Sequence, residues 1–337
     1  MLSRVANSIY WFGRDLERAE NTARLVRVHA NLLLDLPRKM ELGWAPLLAI
    51  TSSEELFASL YKKTDETNVV RFLLADERNP DAIVSALNSA RANLRTIRDI
   101  VPREAWEQLN ELFLYVHEQG ERSVQRHYRL GFLEDIVDYS HTIAGLLGSA
   151  MSRDDAFNFL RMGINLERAD MTTRIIDIRS ESLLPHAGRS LVSFENIQWM
   201  SVLKSLTAYQ MYRRHKRLRV VGPQVLSFLL QDEQFPRSVY FCLDKLEHCL
   251  ARLPRSEACR AINAGLQADL RQADVLTLAE SGFSEYLDRI QLGLADIHDD
   301  INQTYFQAAS IESAAEAMGG TETSRSAGAR PRRLAVS

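Results

Sequence analysis

The sequence contains few of the residues that make turns or cross-links. Only 15 glycines and 9 prolines occur among its 337 residues, both below average usage. Its three cysteines, Cys242, Cys249 and Cys259, include no C-x-x-C pair. An odd number of cysteines in a chain of this size argues against a disulfide scaffold and favours a reducing compartment. The composition therefore predicts long helices with few connections, in a cytoplasmic protein.

Long apolar runs and a strong positive charge are also missing. No stretch of about 18 uncharged apolar residues occurs, and the N-terminus carries no recognisable secretory signal. The net charge of −3 argues against a basic nucleic-acid binder. We therefore expect neither a membrane nor a nucleic acid as a partner.

Sequence motifs of familiar enzymes are absent. The chain has no Walker A loop, no G-x-G-x-x-G, no G-x-S-x-G and no H-E-x-x-H. Helical bundles build carboxylate metal sites with E-x-x-H, which does not occur; the nearest pair, Asp138 and His141, occurs once. The sequence thus predicts no metal and no cofactor, and it identifies no catalytic residue.

A charged segment, in contrast, occurs twice. Residues 13–28 read GRDLERAENTARLVRV and residues 163–178 read GINLERADMTTRIIDI. With an offset of 150, seven of these sixteen positions are identical. This similarity predicts an internal repeat, with the two segments in equivalent places of two related halves.

The spacing of apolar residues is helical throughout. Positions three and four apart form single apolar stripes, and no alternation typical of strands occurs. We predict an all-α fold, a bundle of long antiparallel helices, with motif helices at about 3–36 and 153–183. The helical domain is expected to span 1–313, and 314–337, which lacks apolar periodicity, to be a disordered tail.

Three short segments predict helix starts. Ser52, with Glu55 three residues later, is typical of a capping box. Asn79 followed by Pro80 predicts an N-cap and a first helical position. The segment 235–238, FPRS, also suggests a helix start, with a binding element as the alternative.

Both motif helices carry the same row of residues along the edge of the apolar stripe. Each row contains a glycine, two acids and an arginine: Gly13, Glu17, Glu20 and Arg24 in the first, and Gly163, Glu167, Asp170 and Arg174 in the second. Arg18 and Arg168 follow the first glutamate of each row. A glycine inside a helix costs about 1 kcal/mol relative to alanine, so these glycines predict close approach of another helix or of a ligand.

The row has three interpretations. The favoured one is a partly buried ion network that clamps the two motif helices together. The second is a polar pocket that holds an anionic or zwitterionic ligand, with Arg24 and Arg174 as forks for a carboxylate or phosphate. The third is a solvated flank of each helix.

Three stretches resemble the alpha-E proteins, a bacterial all-helical family with an E-R motif. They are MLSRVANSIYWFGRDLERAENTAR at the N-terminus, LERADMTTRIID in the middle and FLLQDEQFPRSVYFCL near 228–243. The resemblance extends from Met1 to about Ile311. Both Glu-Arg pairs are in place.

The resemblance implies a role beside other enzymes. Alpha-E proteins are typically encoded beside, or fused to, a circularly permuted ATP-grasp protein, and a transglutaminase-like cysteine peptidase often accompanies them. ATP-grasp enzymes join a carboxylate to an amine. The expected role is a helical accessory protein in making or processing a peptide or amide product. The alternative is an enzyme that uses Glu17 and Glu167 as acid and base, which requires both to line an open pocket.

Overall fold

The computed structural model describes residues 1–36, 42–183, 192–216 and 219–307. The predicted tail, 314–337, and the end of the predicted helical domain lie outside these ranges. Within them the structure contains fifteen α-helices and no strand, which confirms the all-α prediction. No helix in these ranges is long and apolar enough to cross a membrane.

The helices follow one another with short connections, and their bounds are α1 Ser3–Asp35, α2 Ala45–Ile50, α3 Glu54–Leu60, α4 Glu66–Leu74, α5 Ile83–Thr96, α6 Arg103–Gln119, α7 Arg126–Ala150, α8 Asp155–Leu183, α9 Val192–Ser205, α10 Tyr209–Lys216, α11 Gly222–Gln231, α12 Val239–Leu250, α13 Glu257–Gln272, α14 Val275–Glu280 and α15 Phe283–Ile301. A π-helical segment, Asn302–Gln307, extends α15. The predicted motif helices correspond to α1 and α8, the two longest.

Helix α1 lies in the middle of the bundle. Its apolar stripe is fully buried, including Ile9, Phe12 and Ala19 at 0% exposure. The helix ends at Asp35, and the backbone of the next residue, Leu36, is extended, as expected for a residue that precedes a proline. Helix α7 packs antiparallel to α1, and α12 packs antiparallel to α13, as in a bundle of sequential helices.

Helices α1 and α8 run in the same direction. Tyr10 contacts Gly163 near their beginnings, and Arg179 bonds His29 near their ends, so that contacting residues differ by about 150 in number. This is the offset at which the two sequences match. Beyond this pair the surroundings differ, because α1 packs mainly on α5, α7 and α9, and α8 on α12, α15 and α2. The internal repeat of whole halves therefore stays a prediction.

Two of the predicted helix starts are wrong. The backbone of Ser52 has a φ of +50°, and the helix begins two residues later, at Glu54. Helix α5 begins at Ile83 rather than at Pro80, because Asn79 is buried in the preceding turn. The Asn79 amide donates to the carbonyl of Phe72 and its oxygen accepts from the backbone of Asp81. Both segments are loops that reach the motif helices.

The FPRS segment does lead into a helix. Ser238 is the N-cap of α12 and accepts a hydrogen bond from the backbone of Phe241. The three cysteines are buried core residues.

Candidate functional site

Each motif glycine permits close contact between α1 and α8. A Cβ atom at Gly163 would lie 2.2 Å from the backbone oxygen of Tyr10. A Cβ atom at Gly13 would lie 2.8 Å from the backbone oxygen of Leu160. Because Leu160 stands 150 positions after Tyr10, the two contacts are reciprocal. The glycines therefore allow the close approach of another helix, which is the first of the two alternatives that the sequence predicted; the second was the close approach of a ligand.

The two Glu-Arg pairs bond across this interface. Glu17 of α1 accepts from Arg168 of α8 at 2.9 Å. Glu167 of α8 accepts from Arg18 of α1 at 2.7 and 3.0 Å. Each glutamate is thus held by the arginine of the other helix. The carboxylates are 4% and 3% exposed, so this is a buried clamp.

Residues around Glu167 form the first of two ion clusters, which we call the Glu167 cluster. Arg14 donates through Nε to Glu167 at 2.7 Å, beside Arg18. Arg18 also donates to Asp81 at 2.9 Å. Asp81 is brought there by the turn at Asn79. The Glu167 cluster consists of Glu167, Arg14, Arg18 and Asp81.

Residues around Glu17 form the second, the Glu17 cluster. Arg237, from the FPRS segment, forms an ion pair with Glu17 at 2.6 Å and donates a hydrogen bond to Glu20 at 3.0 Å. Glu20 also pairs with Arg24, one turn later on α1. The cluster comprises Glu17, Glu20, Arg24, Arg168 and Arg237, so that three arginines face two glutamates.

A cavity of about 200 Å³ opens beside the Glu167 cluster. We call it the motif cavity. It lies between α1, α8, the loop after α2 and the turn at Asp81, and its lining residues are Arg14, Arg18, Thr22, Ile50, Thr51, Ser52, Asp81, Glu167, Asp170, Met171 and Arg174. Three arginines and three carboxylates line it. A cavity with both signs of charge suits a ligand that carries a carboxylate and an ammonium.

Residues 1–306 match the Alpha-E family, which is described as a predicted alpha-helical domain with a conserved ER motif. The chain belongs to the Alpha-E family. In this alpha-E domain the two Glu-Arg dipeptides, Glu17-Arg18 and Glu167-Arg168, fit that description and form the cross-helix clamp.

Relatives of this alpha-E domain occur in mycobacteria. Uncharacterized proteins of Mycobacterium bovis and Mycobacterium tuberculosis are 23% identical to it over 280 residues. The alignment covers 75% of this chain but only 30% of each relative. No solved structure matches the chain.

Arg174 and Ser52 form the outer wall of the motif cavity of the alpha-E domain. Arg174 is 31% exposed and donates to Asp170 at 2.9 Å. It also donates to the hydroxyl of Ser52, whose left-handed backbone turns the loop towards α8. A non-glycine residue in this conformation is uncommon outside turns and functional sites. Arg174 is the only one of the two predicted forks that lines this cavity.

Arg24, the other predicted fork, lies elsewhere. Its side chain is 2% exposed, bonds Glu20 and Thr207, and is enclosed in the Glu17 cluster. Burial lowers its pKa, as does the neighbouring Arg237. The interpretation of a solvated flank is excluded for Glu17, Glu20, Arg24 and Glu167, which are all buried.

Burial would raise the pKa values of both motif glutamates, but the arginines outweigh it. Arg168 and Arg237 lower the pKa of Glu17 to about 2, and Arg14 and Arg18 lower that of Glu167 to about 2. A carboxylate that stays ionised and accepts from two arginines is a poor general acid or base near pH 7. The geometry therefore gives no support to catalysis by this pair.

Asp15 behaves in the opposite way. Its side chain is 5% exposed and receives one long bond, 3.4 Å, from Asn93. Burial raises its pKa to about 7, although Arg18 and Arg14 oppose the rise. Asp15 is the acid beside the motif that changes charge near neutral pH.

Several residues of the site were missed from the sequence. Arg14 and Arg237 have no counterpart in the repeated row, and Asp81 and Ser52 lie in loops. The FPRS segment was the one available signal, because it was identified as a possible binding element. In the described part of the chain no group of three histidine, cysteine, aspartate or glutamate residues is arranged to hold a metal ion.

Proposed function

We propose that this alpha-E domain is a helical binding component that works with an ATP-grasp ligase. In this proposal it presents an amino acid or a peptide end to the ligase and contributes no catalytic group itself. A transglutaminase-like peptidase is the second proposed partner, and the cytoplasm the proposed location. The observation that carries the proposal is the motif cavity, whose wall contains both cations and carboxylates.

The cavity matches a zwitterion in charge. Arg174 at the outer wall is part-exposed and bonds Ser52 and Asp170, so its guanidinium can exchange one of these for a ligand carboxylate. Asp81 is 38% exposed and can accept from a ligand ammonium. The inner pair, Arg14 and Glu167, is almost fully enclosed and holds the wall in place.

The family resemblance supports the ligase as the partner. An ATP-grasp ligase needs a carboxylate and an amine in one site, and amino acids and peptides supply both. The mycobacterial relatives support a role for the alpha-E domain alongside other domains. Only 30% of their length aligns with this chain, which leaves 70% outside the alignment.

The first experiment tests the partnership. A tagged alpha-E domain is co-expressed with a circularly permuted ATP-grasp protein, of the kind typically encoded beside alpha-E proteins, and the two are purified with ATP and without. Association in at least one nucleotide state is expected. Its absence in both states contradicts the partnership.

The second experiment tests the cavity by calorimetry with alanyl-alanine as the probe. N-acetylated and C-amidated forms of the dipeptide each lack one charge and should bind at least tenfold more weakly. In Arg174→Met, the C-amidated peptide should bind as well as the unmodified one, because the partner of the ligand carboxylate is gone. In Asp81→Asn, the N-acetylated peptide should bind as well as the unmodified one, because the partner of the ligand ammonium is gone. Arg95→Gln, a change on the exposed surface of α5, is the control. Equal binding of all three peptides contradicts the zwitterion site.

A further inference from the structure

A second cavity lies beside the Glu17 cluster. It has a volume of about 80 Å³ and is enclosed by α1, α7 and α8. We call it the arginine cavity. Its wall is mainly apolar, with charged groups at one end, and the lining residues are Leu16, Glu17, Glu20, Ser140, Ala144, Leu147, Gly148, Phe157, Leu160, Arg161, Ile164 and Arg168. Ala144 and Gly148 on α7 are exposed and form its mouth.

Arg161 is a half-buried cation in this wall without an anion. Among the described residues no carboxylate pairs with its guanidinium, and no acceptor receives a hydrogen bond from it. Burial lowers its pKa, and so does the nearby Arg168. Arg168 adds a second unused donor, because its buried Nε has no hydrogen-bond partner in the same part of the chain. Two guanidinium groups with free donors therefore meet at one small cavity.

The neighbouring charges do not compensate Arg161. Glu17 and Glu20, which also line the cavity, are already paired with the three arginines of the Glu17 cluster. His141 supplies no negative charge, and burial and the nearby Arg24 lower its pKa. Cys242 stays a thiol, since burial raises its pKa to about 12. Buried positive charge without a counter-ion is costly, and a bound anion would remove that cost.

We propose that the arginine cavity binds an oxyanion, a carboxylate or a phosphate, at the end of a small apolar body. Arg161 and the free Nε of Arg168 hold the anion as planar donors. The apolar wall of Leu147, Phe157 and Ile164 accepts the rest of the ligand. This site is independent of the proposed function, because the motif cavity and the arginine cavity have no lining residue in common. The clamp between α1 and α8 separates the two cavities.

The test measures melting temperature of the whole chain at constant ionic strength. Sodium propanoate and inorganic phosphate replace sodium chloride in separate series up to the millimolar range. A ligand that binds only the folded state raises Tm, and we expect a rise of about 3 °C with at least one of the two. The series that gives the larger rise distinguishes a carboxylate from a phosphate. No rise above chloride with either anion contradicts the proposal.

Arg161→Gln provides a result that a structural role cannot mimic. Because Arg161 has no ion pair to lose, the variant should melt at an equal or higher temperature in chloride alone, and it should lose the response to propanoate and phosphate. Arg95→Gln removes an exposed arginine of α5 and should keep both properties of the wild type. An Arg161→Gln variant that responds like the wild type overturns the assignment.

Ala144→Glu tests the same idea from the opposite wall. It places a tethered carboxylate at the exposed mouth of the cavity, on a helix that tolerates glutamate. We expect a higher Tm in chloride and at least a tenfold weaker response to added propanoate. Ala144→Gln, which has the same size without the charge, should leave the response within twofold of the wild type. Equal responses of the two variants contradict an anion site.

Discussion

The two sides of the α1–α8 interface use the same motif and arrive at different charge balances. On the Glu167 side, three arginines and three carboxylates line an open cavity. On the Glu17 side, three arginines enclose two glutamates, and Arg161 adds another cation. The motif supplies one glutamate and one arginine to each side. The difference comes from residues outside it, mainly Asp81 on one side and Arg237 on the other.

The comparison shows what the Glu-Arg motif contributes by itself. Its four residues form two reciprocal ion pairs that lock α1 to α8. A buried ion pair of this kind is weak support for stability as such, because desolvation offsets much of the attraction. What it provides is a fixed register between two parallel helices, on which two different cavities are built.

The largest expected effect breaks the more enclosed side. Glu17→Gln leaves Arg168 unpaired and Arg237 with Glu20 alone, beside a cavity of about 80 Å³ that is smaller than the motif cavity. We expect it to lower the free energy of unfolding by about 3–5 kcal/mol. Glu167→Gln leaves Arg14 without a carboxylate, but Arg18 keeps Asp81 and the motif cavity admits water, so we expect a smaller loss of about 1–3 kcal/mol. Urea unfolding measures both, and an equal loss would contradict the asymmetry.

The next effect concerns the close contact of the helices. Gly163→Ala brings a Cβ atom against the backbone oxygen of Tyr10, which no side-chain rotation relieves. We expect a loss of about 3 kcal/mol, reduced by the better helix propensity of alanine. Gly13→Ala meets a longer gap, 2.8 Å, and should cost about 1 kcal/mol. Thermal unfolding orders the two, and Gly265→Ala, with open space around its Cβ position, is the control.

The dependence on pH distinguishes Asp15 from the motif glutamates. The pKa of Asp15 is raised to about 7 in the folded chain, so the folded state binds the extra proton and stability falls as pH rises from about 4 to 7. Asp15→Asn should remove a decline of about 2 kcal/mol between pH 5 and pH 8. Urea midpoints across this range measure it, and an unchanged slope in the variant would contradict the assignment.

The glutamates give the opposite slope at lower pH. Their folded pKa values of about 2 lie below the ordinary value, so their contribution is present above about pH 4.5 and is lost as pH falls towards 2. The loss of stability below pH 4.5 should therefore be as large in Asp15→Asn as in the wild type. It should be smaller in Glu17→Gln, provided that this variant is folded at neutral pH.

The smallest expected effect on stability is that of Arg174→Met. Arg174 is 31% exposed and pairs with Asp170 within one helix, and such surface pairs contribute about 0–1 kcal/mol. The melting temperature should change by less than about 2 °C, whereas binding of alanyl-alanine should weaken. A drop as large as that of Glu17→Gln would show that Arg174 belongs to the clamp rather than to the cavity wall.

The sequence located the helices and the motif well. Apolar spacing predicted α1 and α8 within two residues, because a buried stripe repeats every 3.6 residues whatever packs on it. The loops were predicted less well. Ser52 and Asn79 suggested helix caps, but the first contacts Arg174 and the second holds the turn of Asp81. Short polar side chains bond either a helix end or a distant group, and only tertiary contacts select between them.

The sequence by itself determined the all-α class, the two motif helices and the residues that lock them together. Helical periodicity and the matched row are local properties, so they can be recognised from the sequence alone. The tertiary structure decided that the clamp has two unlike sides. Asp81 and Arg237 come from loops, and Arg14 and Arg161 from the motif helices themselves. The signs of their charges set which side of the clamp holds balanced charge and which holds excess positive charge. Charge balance depends on distance in space, which spacing along the chain does not encode.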